Sequence, residues 1–122
     1  MAEKSVLNIP LRKVHALEIL RDEKKREYRT FNDYWAKRLC KFENPKDPYE
    51  ATGIQWYDVI HFYPYNNKWF LDVKVKDIEW QTVDEEFLKK YGDEVMAIEE
   101  SQLFIIHLGE IIDTNLEIDK TS

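Results

Sequence analysis

Cysteine, glycine and proline are all scarce in this 122-residue chain. The single cysteine, Cys40, excludes an internal disulfide and indicates a reducing compartment. Its thiol is predicted to be a buried small hydrophobe, with a reactive thiol as the alternative. Three glycines are too few for a glycine-rich phosphate loop or a nucleophile elbow. With only 4 prolines, the composition also argues against disorder and a collagen-like repeat.

Long apolar runs and paired metal ligands are missing as well. No stretch approaches the roughly 18 apolar residues needed to cross a bilayer, and the start MAEKSVLNIP has no apolar signal core. We therefore expect a cytoplasmic protein without a membrane partner. Its 3 histidines are far apart in sequence, so no metal site is predicted, and no cofactor is expected.

The apolar content is nevertheless high, at 43% of residues, with 14% aromatic residues. A chain of this length can bury one core without disulfides or a metal. We predict a single domain over residues 1–122, with its core at about 5–112 and a flexible tail at 113–122.

Charge is unevenly distributed along the sequence. The net charge of −6 argues against a protein that binds nucleic acid over its whole surface. Residues 12–41 carry ten Lys or Arg against five Asp or Glu, whereas residues 42–122 carry seven against eighteen. One basic region on an acidic body suits a single anionic ligand or a short strand, and would repel a long duplex.

Periodicity in the first third predicts strands and helices in alternation. SVLNI predicts a strand, and Pro10 begins a helix that continues to about Asp22. REYRTF predicts a short strand, and Asn32 caps a second helix. The apolar residues of the first helix are Leu11, Val14, Leu17 and Leu20, and those of the second are Tyr34, Trp35, Leu39 and Phe42.

The clearest pattern follows ENPKDPYEATG, which predicts a surface loop. IQWYDVIHFYPY and WFLDVKVKDIEW predict two strands joined by a hairpin turn at Asn66 and Asn67. The second strand alternates strictly: its apolar residues are Trp69, Leu71, Val73 and Val75, and its charged residues are Asp72, Lys74 and Lys76.

The last third predicts a helix and a closing strand. A capping box from Thr82 to Glu85 precedes the helix VDEEFLKKY, which ends at Gly92. SQLFIIHLGEI predicts a buried strand, in which Gly109 marks a bulge or a close backbone approach. About five or six strands with helices inserted around them indicate an α+β fold, a small β-barrel rather than a parallel sheet.

The segment DEKKREYR, residues 22–29, concentrates charge at the start of a predicted strand. Because side chains alternate along a strand, Glu27 and Arg29 share one face and Tyr28 points to the core, while Lys24 reaches the same space from the preceding turn. A carboxylate between two cations holds both side chains. Such a set offers donors to a phosphate and an acceptor to an exocyclic amine of a base, although a solvated salt-bridge cluster is the alternative.

This segment resembles the signature of the ASCH domain, a branch of the PUA-like β-barrel superfamily, written G-x-K-x-x-E-x-R. Lys24, Glu27 and Arg29 match it, and Asp22 stands where the family usually has glycine. The likeness extends from about Ser5 to Ile112 and includes a helix before the motif, the central hairpin, an acidic helix and the closing LFIIHLGEI strand. It implies a small PUA-like barrel with helices inserted around it.

The resemblance implies a cleft that binds RNA, a nucleotide or a modified nucleoside. Lys24, Glu27 and Arg29 would form this site, Arg26 and Arg38 would contact phosphate, and Trp35 is the best candidate for stacking on a base.

Two further hypotheses remain open. One branch of the family hydrolyses the acetyl amide of N4-acetylcytidine with a Lys-Thr-Glu set, and ribonuclease activity is described for other members. Here Glu27 occupies the Thr place, so only a different mechanism is possible, with Glu27 as general base and Lys24 stabilising an oxyanion. Glu94 or a neighbour would be the later Glu. The other hypothesis is a protein-interaction module that uses the acidic C-terminal two thirds.

Overall fold

A computed structural model describes residues 4–42, 51–93 and 102–117. These residues form seven strands and three helices. In chain order the elements are β1 (Val6–Pro10), α1 (Lys13–Leu20), β2 (Arg26–Thr30), α2 (Asp33–Leu39), β3 (Cys40–Phe42), β4 (Ala51–Ile54), β5 (Val59–Tyr63), β6 (Leu71–Thr82), α3 (Glu85–Tyr91) and β7 (Gln102–Thr114).

Five strands form one mixed sheet in the order β1-β5-β6-β7-β2. β1 is parallel to β5, with Asn8 opposite His61, and β5 is antiparallel to β6, with His61 opposite Asp72. β3 and β4 form a separate two-stranded antiparallel sheet. The α+β class and the sheet of about five strands are therefore confirmed, whereas a PUA-like barrel stays a prediction.

Several locally encoded features were predicted correctly. The Asn32 side chain caps α2 by accepting a hydrogen bond from the Trp35 N–H at 2.9 Å. The hairpin forms, and Asn67 in its connection has a left-handed backbone with φ 55°. Its strands begin and end elsewhere than predicted, since β5 covers only Val59–Tyr63 and β6 begins at Leu71. The alternation along β6 also holds through Val75, with apolar side chains buried and charged ones partly or fully exposed. In each case nearby residues in the sequence decide the geometry.

The first helix was predicted to begin too early. Pro10 ends β1, and α1 begins only at Lys13. The predicted apolar stripe was also wrong in part, because Val14 is 59% exposed while Ala16 and Ile19 are buried. A proline fits a strand end as well as a first helical turn, and here strand pairing decided between them.

Three other boundaries differ from the prediction. Residues 51–53, predicted as the end of a loop, belong to β4, because this segment pairs with β3. Residues 43–50 of that loop lie outside the described residues. Phe42 belongs to β3 and not to the second helix. Thr82 ends β6, and Asp84 caps α3 instead by accepting from the Phe87 N–H at 2.9 Å.

The chain divides into two compact units. Unit 1 comprises Met1–Glu27, Tyr57–Asp77 and His107–Ser122, and unit 2 comprises Tyr28–Trp56 and Ile78–Ile106. The fully buried side chains of unit 1 include Ile9, Ile60, Phe62, Leu71 and Val73.

In unit 2 a cluster of four buried side chains packs with two partly buried ones: Phe87, Tyr91, Leu103 and Ile105, with Tyr28 and Val83 against them. Tyr28 therefore points into a hydrophobic cluster, as predicted.

Two sequence predictions concern burial and membrane spans. Cys40 is 4% exposed, and burial raises the pKa of its thiol, which is the environment of an inert rather than a reactive cysteine. No helix in the described part of the chain is long and apolar enough to cross a membrane. β7 continues to Thr114, so regular structure extends past the predicted core boundary at residue 112.

Candidate functional site

The backbone turn at the end of α1 sets the position of the charged segment, residues 22–29. The Asp22 N–H donates to the Ile19 carbonyl at 3.1 Å, and the Glu23 N–H donates to the Glu18 carbonyl at 2.9 Å. This pair of bonds is a Schellman motif, in which the residue after the helix cap adopts a left-handed backbone. Asp22 has φ 63°, as the motif requires. The turn ends the helix sharply and directs the chain to Lys24.

Lys24 is held by a buried carboxylate. Its Nζ lies 3.1 Å from Oε2 of Glu27, and the side chains are 22% and 4% exposed respectively. Glu27 is the only charged residue among the buried residues in the described part of the chain. A buried charge is retained at acceptable free energy only when it is paired and hydrogen-bonded. The carboxylate therefore restricts where the lysine ammonium group can lie.

A pocket of about 180 Å³ lies beside this lysine, within unit 1. It is lined by Ile19, Leu20, Asp22, Lys24, Lys25, Leu108, Gly109, Glu110 and Ile111. The Leu108 N–H donates to the Lys25 carbonyl at 2.9 Å, which fixes the β7 wall against the segment after α1. The volume is below the roughly 300–1,000 Å³ of typical small-molecule pockets, so the space suits one base or one small polar group.

The pocket has both donors and acceptors. Lys24 and Lys25 supply ammonium donors, and Asp22 and Glu110 supply carboxylate acceptors. Because the formal charges balance, the lining attracts a polyanion less than a purely basic cleft would. Such a lining suits a neutral or singly charged ligand with both donor and acceptor edges.

Gly109 allows two strands to approach closely at this pocket. A Cβ at this position would lie 3.1 Å from the Lys74 carbonyl oxygen. The close approach predicted from the sequence is therefore present, and it belongs to the pocket wall. A side chain here would push β7 from β6 or enter the pocket.

The basic residues Arg26 and Arg29 of the predicted site are not among the residues that line this pocket. Arg26 begins β2, is half-buried, and does not line the pocket. In unit 2, the Arg29 guanidinium lies 5.2 Å from the centroid of the Trp35 ring, and its Nη1 donates to the Tyr28 carbonyl at 2.8 Å. The structure thus brings Lys24 together with Glu27, and Arg29 together with Trp35. That these four side chains line one cleft stays a prediction.

Arg38 is held in a similar way to Arg29. Its guanidinium lies 3.5 Å from the centroid of the Tyr34 ring, and its Nη1 donates to the Tyr34 carbonyl at 2.8 Å. The Tyr34 and Trp35 rings meet edge to face at 5.0 Å. The role of Arg38 as a phosphate contact stays a prediction. Its two contacts with Tyr34 hold the guanidinium in the position from which it would reach a phosphate.

Sequence reasoning missed part of the pocket. Lys25 was part of the charged segment but was not singled out, and Glu110 was not considered because it is far from that segment in sequence. Only the pairing of Leu108 with Lys25 brings Glu110 to the site. The later acidic residue suggested as Glu94 lies outside the described residues.

Two of the described histidines, His15 and His61, pair with carboxylates. His61 Nδ1 lies 2.5 Å from Asp72 Oδ1 across β5 and β6, and His15 Nδ1 lies 2.9 Å from Glu18 Oε1. Over residues 4–42, 51–93 and 102–117, no group of three or more His, Cys, Asp or Glu side chains is arranged to hold a metal ion.

Comparisons with models of known protein families, with curated proteins and with solved structures found no match to this chain.

Proposed function

We propose that this chain is an ASCH-like domain of the PUA-like superfamily whose Lys24 pocket binds a nucleotide or a modified nucleoside, either free or as one residue of an RNA. One observation carries the proposal: the Lys24 ammonium group is held at 3.1 Å by the buried Glu27 and lies in the wall of a pocket. An ammonium donor in this position can bond a base carbonyl or a phosphate oxygen.

The backbone of Asp22 supports the resemblance to the ASCH signature. That signature has glycine where this chain has Asp22, and the φ of 63° lies in the region that favours glycine. Aspartate is one of the few other residues that adopt this conformation occasionally, because its short polar side chain can hydrogen-bond locally. The substitution therefore preserves the turn while adding a carboxylate to the pocket lining.

The size and charge of the pocket favour a single nucleoside unit as ligand. About 180 Å³ accommodates a base more readily than an extended strand. The carboxylates of Asp22 and Glu110 can accept from the amino group of a base, and Lys25 adds a second donor. Balanced charge favours a nucleoside or monophosphate over a polyphosphate.

The same geometry favours binding over turnover. A hydrolytic mechanism would need Glu27 as general base, within hydrogen-bond reach of the reacting proton. Its side chain is instead 4% exposed and paired with Lys24, and it is not among the pocket-lining residues of the described chain. Glu27 is therefore proposed to position Lys24 rather than to react.

Titration of isotope-labelled protein with nucleosides and their 5′-monophosphates tests this proposal. We expect chemical-shift changes at Lys24, Lys25 and Glu110, and unchanged ligand afterwards. Lys24→Gln should abolish the response, whereas Lys76→Gln, at an exposed lysine of β6, should retain it. Absence of any response around the pocket would overturn the proposal, and conversion of the ligand would favour the hydrolase hypothesis instead.

A further inference from the structure

We propose that the open edge of β7 in unit 1 binds an extended, basic peptide of another protein, which pairs with β7 as an additional strand. This β7 edge is the side of residues 109–114 that faces away from β6. The inference goes beyond the proposed function, because strand pairing at this edge does not depend on a nucleoside in the Lys24 pocket.

β7 lies between β6 and β2 in the sheet, and it is antiparallel to β2. The Leu108 N–H donates to the Lys25 carbonyl, which directly precedes β2, at 2.9 Å. Further along β2, Tyr28 packs with the cluster that contains Leu103 and Ile105. Residue numbers therefore rise along β2 as they fall along β7, so β2 lies beside the first half of β7.

The second half of β7 extends past the start of β2. β2 has 5 residues and β7 has 13, so within the described ranges no strand lies beside residues 109–114 on the side away from β6. Backbone groups of alternate residues in a strand point to the same edge. Because the Leu108 N–H points to this edge, the N–H and C=O groups of Glu110 and Ile112 point there as well. Such an edge is a template for another strand.

Contacts with the region before β6 hold this end of β7 in place. Thr114 Oγ1 donates to the Phe70 carbonyl at 2.7 Å, and Asn115 Oδ1 accepts from the Phe70 N–H at 2.9 Å. Asn115 Nδ2 also donates to the Lys68 carbonyl at 3.3 Å. The edge is thus already extended before a partner arrives, so the ordering cost of pairing falls mainly on the peptide.

Apolar side chains are exposed on both faces beside this edge. Residues 109–113 are exposed, whereas residues 103–106 of the same strand are buried. Ile111 is 37% exposed and Ile112 is 46% exposed. Neighbouring side chains of a strand point to opposite faces, so apolar side chains of an added strand would cover one isoleucine on each face.

The charge of the segment indicates the chemistry of the partner. Residues 109–117 contain Glu110, Asp113 and Glu117 and no lysine or arginine. The lysines of the adjoining pocket, Lys24 and Lys25, line it together with Leu108, whereas Asp113 and Glu117 do not line it. Opposite charges on paired strands stabilise the pair. A peptide that alternates apolar residues with lysine or arginine therefore complements the Asp113 end.

A second copy of this chain fits the edge less well. Pairing of two β7 edges would bring two segments together that each carry three carboxylates and no cation. Like charges on paired strands are destabilising. The net charge of −6 would add further repulsion between copies. The observations therefore favour a basic peptide over self-association.

Amide hydrogen exchange of the full chain, followed by NMR with an acetylated peptide of about eight alternating valines and lysines, tests the inference. We expect the peptide to slow exchange at the amides of Glu110 and Ile112. Exchange at Gly109 and Ile111 should change little, because their backbone groups point to β6. This alternation is specific to strand pairing at the β7 edge.

Two control peptides separate backbone pairing from attraction between charges. The same peptide with every backbone nitrogen methylated keeps its lysines but has no N–H donors, and it should give no protection. A peptide of alternating valine and glutamate should bind at least about 5-fold more weakly than the lysine peptide. Equal binding of the methylated peptide, or no protection with the lysine peptide, would overturn the inference.

Charge reversal on the protein provides a second test. Asp113→Lys should weaken binding of the lysine peptide about 5-fold. Asp93→Lys, at an exposed residue in unit 2, makes the same change in net charge and should bind as the unmodified chain does. Equal losses in the two variants would overturn the inference. Protection of Glu110 and Ile112 that grows with protein concentration in the absence of peptide would also overturn it, in favour of self-association.

Discussion

Unit 1 and unit 2 each hold a cation against a partner, but the partners differ in kind. In unit 1 Lys24 meets Glu27, whose side chain is 4% exposed. In unit 2 Arg38 lies over the ring of Tyr34, a residue that is 49% exposed. A pair that includes a buried charge contributes strongly to stability, because loss of the partner leaves that charge desolvated. An exposed cation–π pair contributes little to stability.

The Lys24–Glu27 pair and the Arg38–Tyr34 pair are therefore expected to respond differently to substitution. Lys24 belongs to an ion pair that stabilises the fold, so variants of Lys24 alter stability as well as binding. The Arg38–Tyr34 pair in unit 2 lies where water already reaches Tyr34, so variants there should change stability only slightly. Stability measurements can therefore test the comparison without knowledge of any ligand.

The largest effect is expected for Lys24→Met. Removal of the ammonium group leaves the Glu27 carboxylate buried without its lysine, and the free energy of unfolding should fall by about 3 kcal/mol. Denaturant unfolding measures this difference. Lys25→Met, at an exposed neighbouring lysine, is the control and should change stability by less than about 0.5 kcal/mol. Equal effects of the two variants would contradict the comparison.

A smaller effect is expected when alanine replaces glycine in β7. Gly109→Ala places a Cβ 3.1 Å from the Lys74 carbonyl oxygen, so the strands must separate slightly and stability should fall by about 1 kcal/mol. Gly53→Ala in β4 of unit 2 is the control, since nothing lies within 4 Å of its Cβ. Thermal unfolding of both variants makes the comparison, and a greater loss for Gly53→Ala would contradict it.

Asp22→Gly should act in the opposite direction. Its φ of 63° suits glycine, so the free energy of unfolding should rise by about 0.5–1 kcal/mol. Asp33→Gly, in the right-handed first turn of α2, should instead lower it. Chemical denaturation of both variants tests the sign; stabilisation of Asp33→Gly would show that the backbone conformation is not the cause.

The smallest effect is expected for Arg38→Met. It removes an exposed cation–π contact and a hydrogen bond to the Tyr34 carbonyl while it retains an apolar side chain. We expect a loss of about 0.5 kcal/mol. Denaturant unfolding checks this value. A loss as large as that of Lys24→Met would abolish the distinction between the two units.

Features of short sequence range were predictable. The Asn32 cap requires only a side-chain oxygen close to the start of a helix, and the alternation of β6 from Leu71 to Lys76 follows from the pleat of a strand. The motif segment was recognised as charged, and Lys24 and Glu27 were predicted to meet. That prediction succeeded because only a turn separates the two residues.

Features that depend on distant partners were missed. Residues 51–53 were predicted as the end of a loop marked by Pro45, Pro48 and Gly53, yet they belong to β4, which pairs with β3 in a two-stranded sheet. Asp84 replaced Thr82 as the cap of α3 because β6 continues through Thr82. In both cases pairing with another strand outweighed the local preference.

The sequence by itself determined the basic N-terminal third, the hairpin with its alternating strand, and the charged segment from Asp22 to Arg29, since each depends on neighbouring residues. Only the tertiary structure decided that Glu27 is buried and that Glu110 and Gly109 line a pocket with Lys24. Burial and concavity arise where β7 pairs beside the end of α1, and no local pattern specifies which distant strand arrives there.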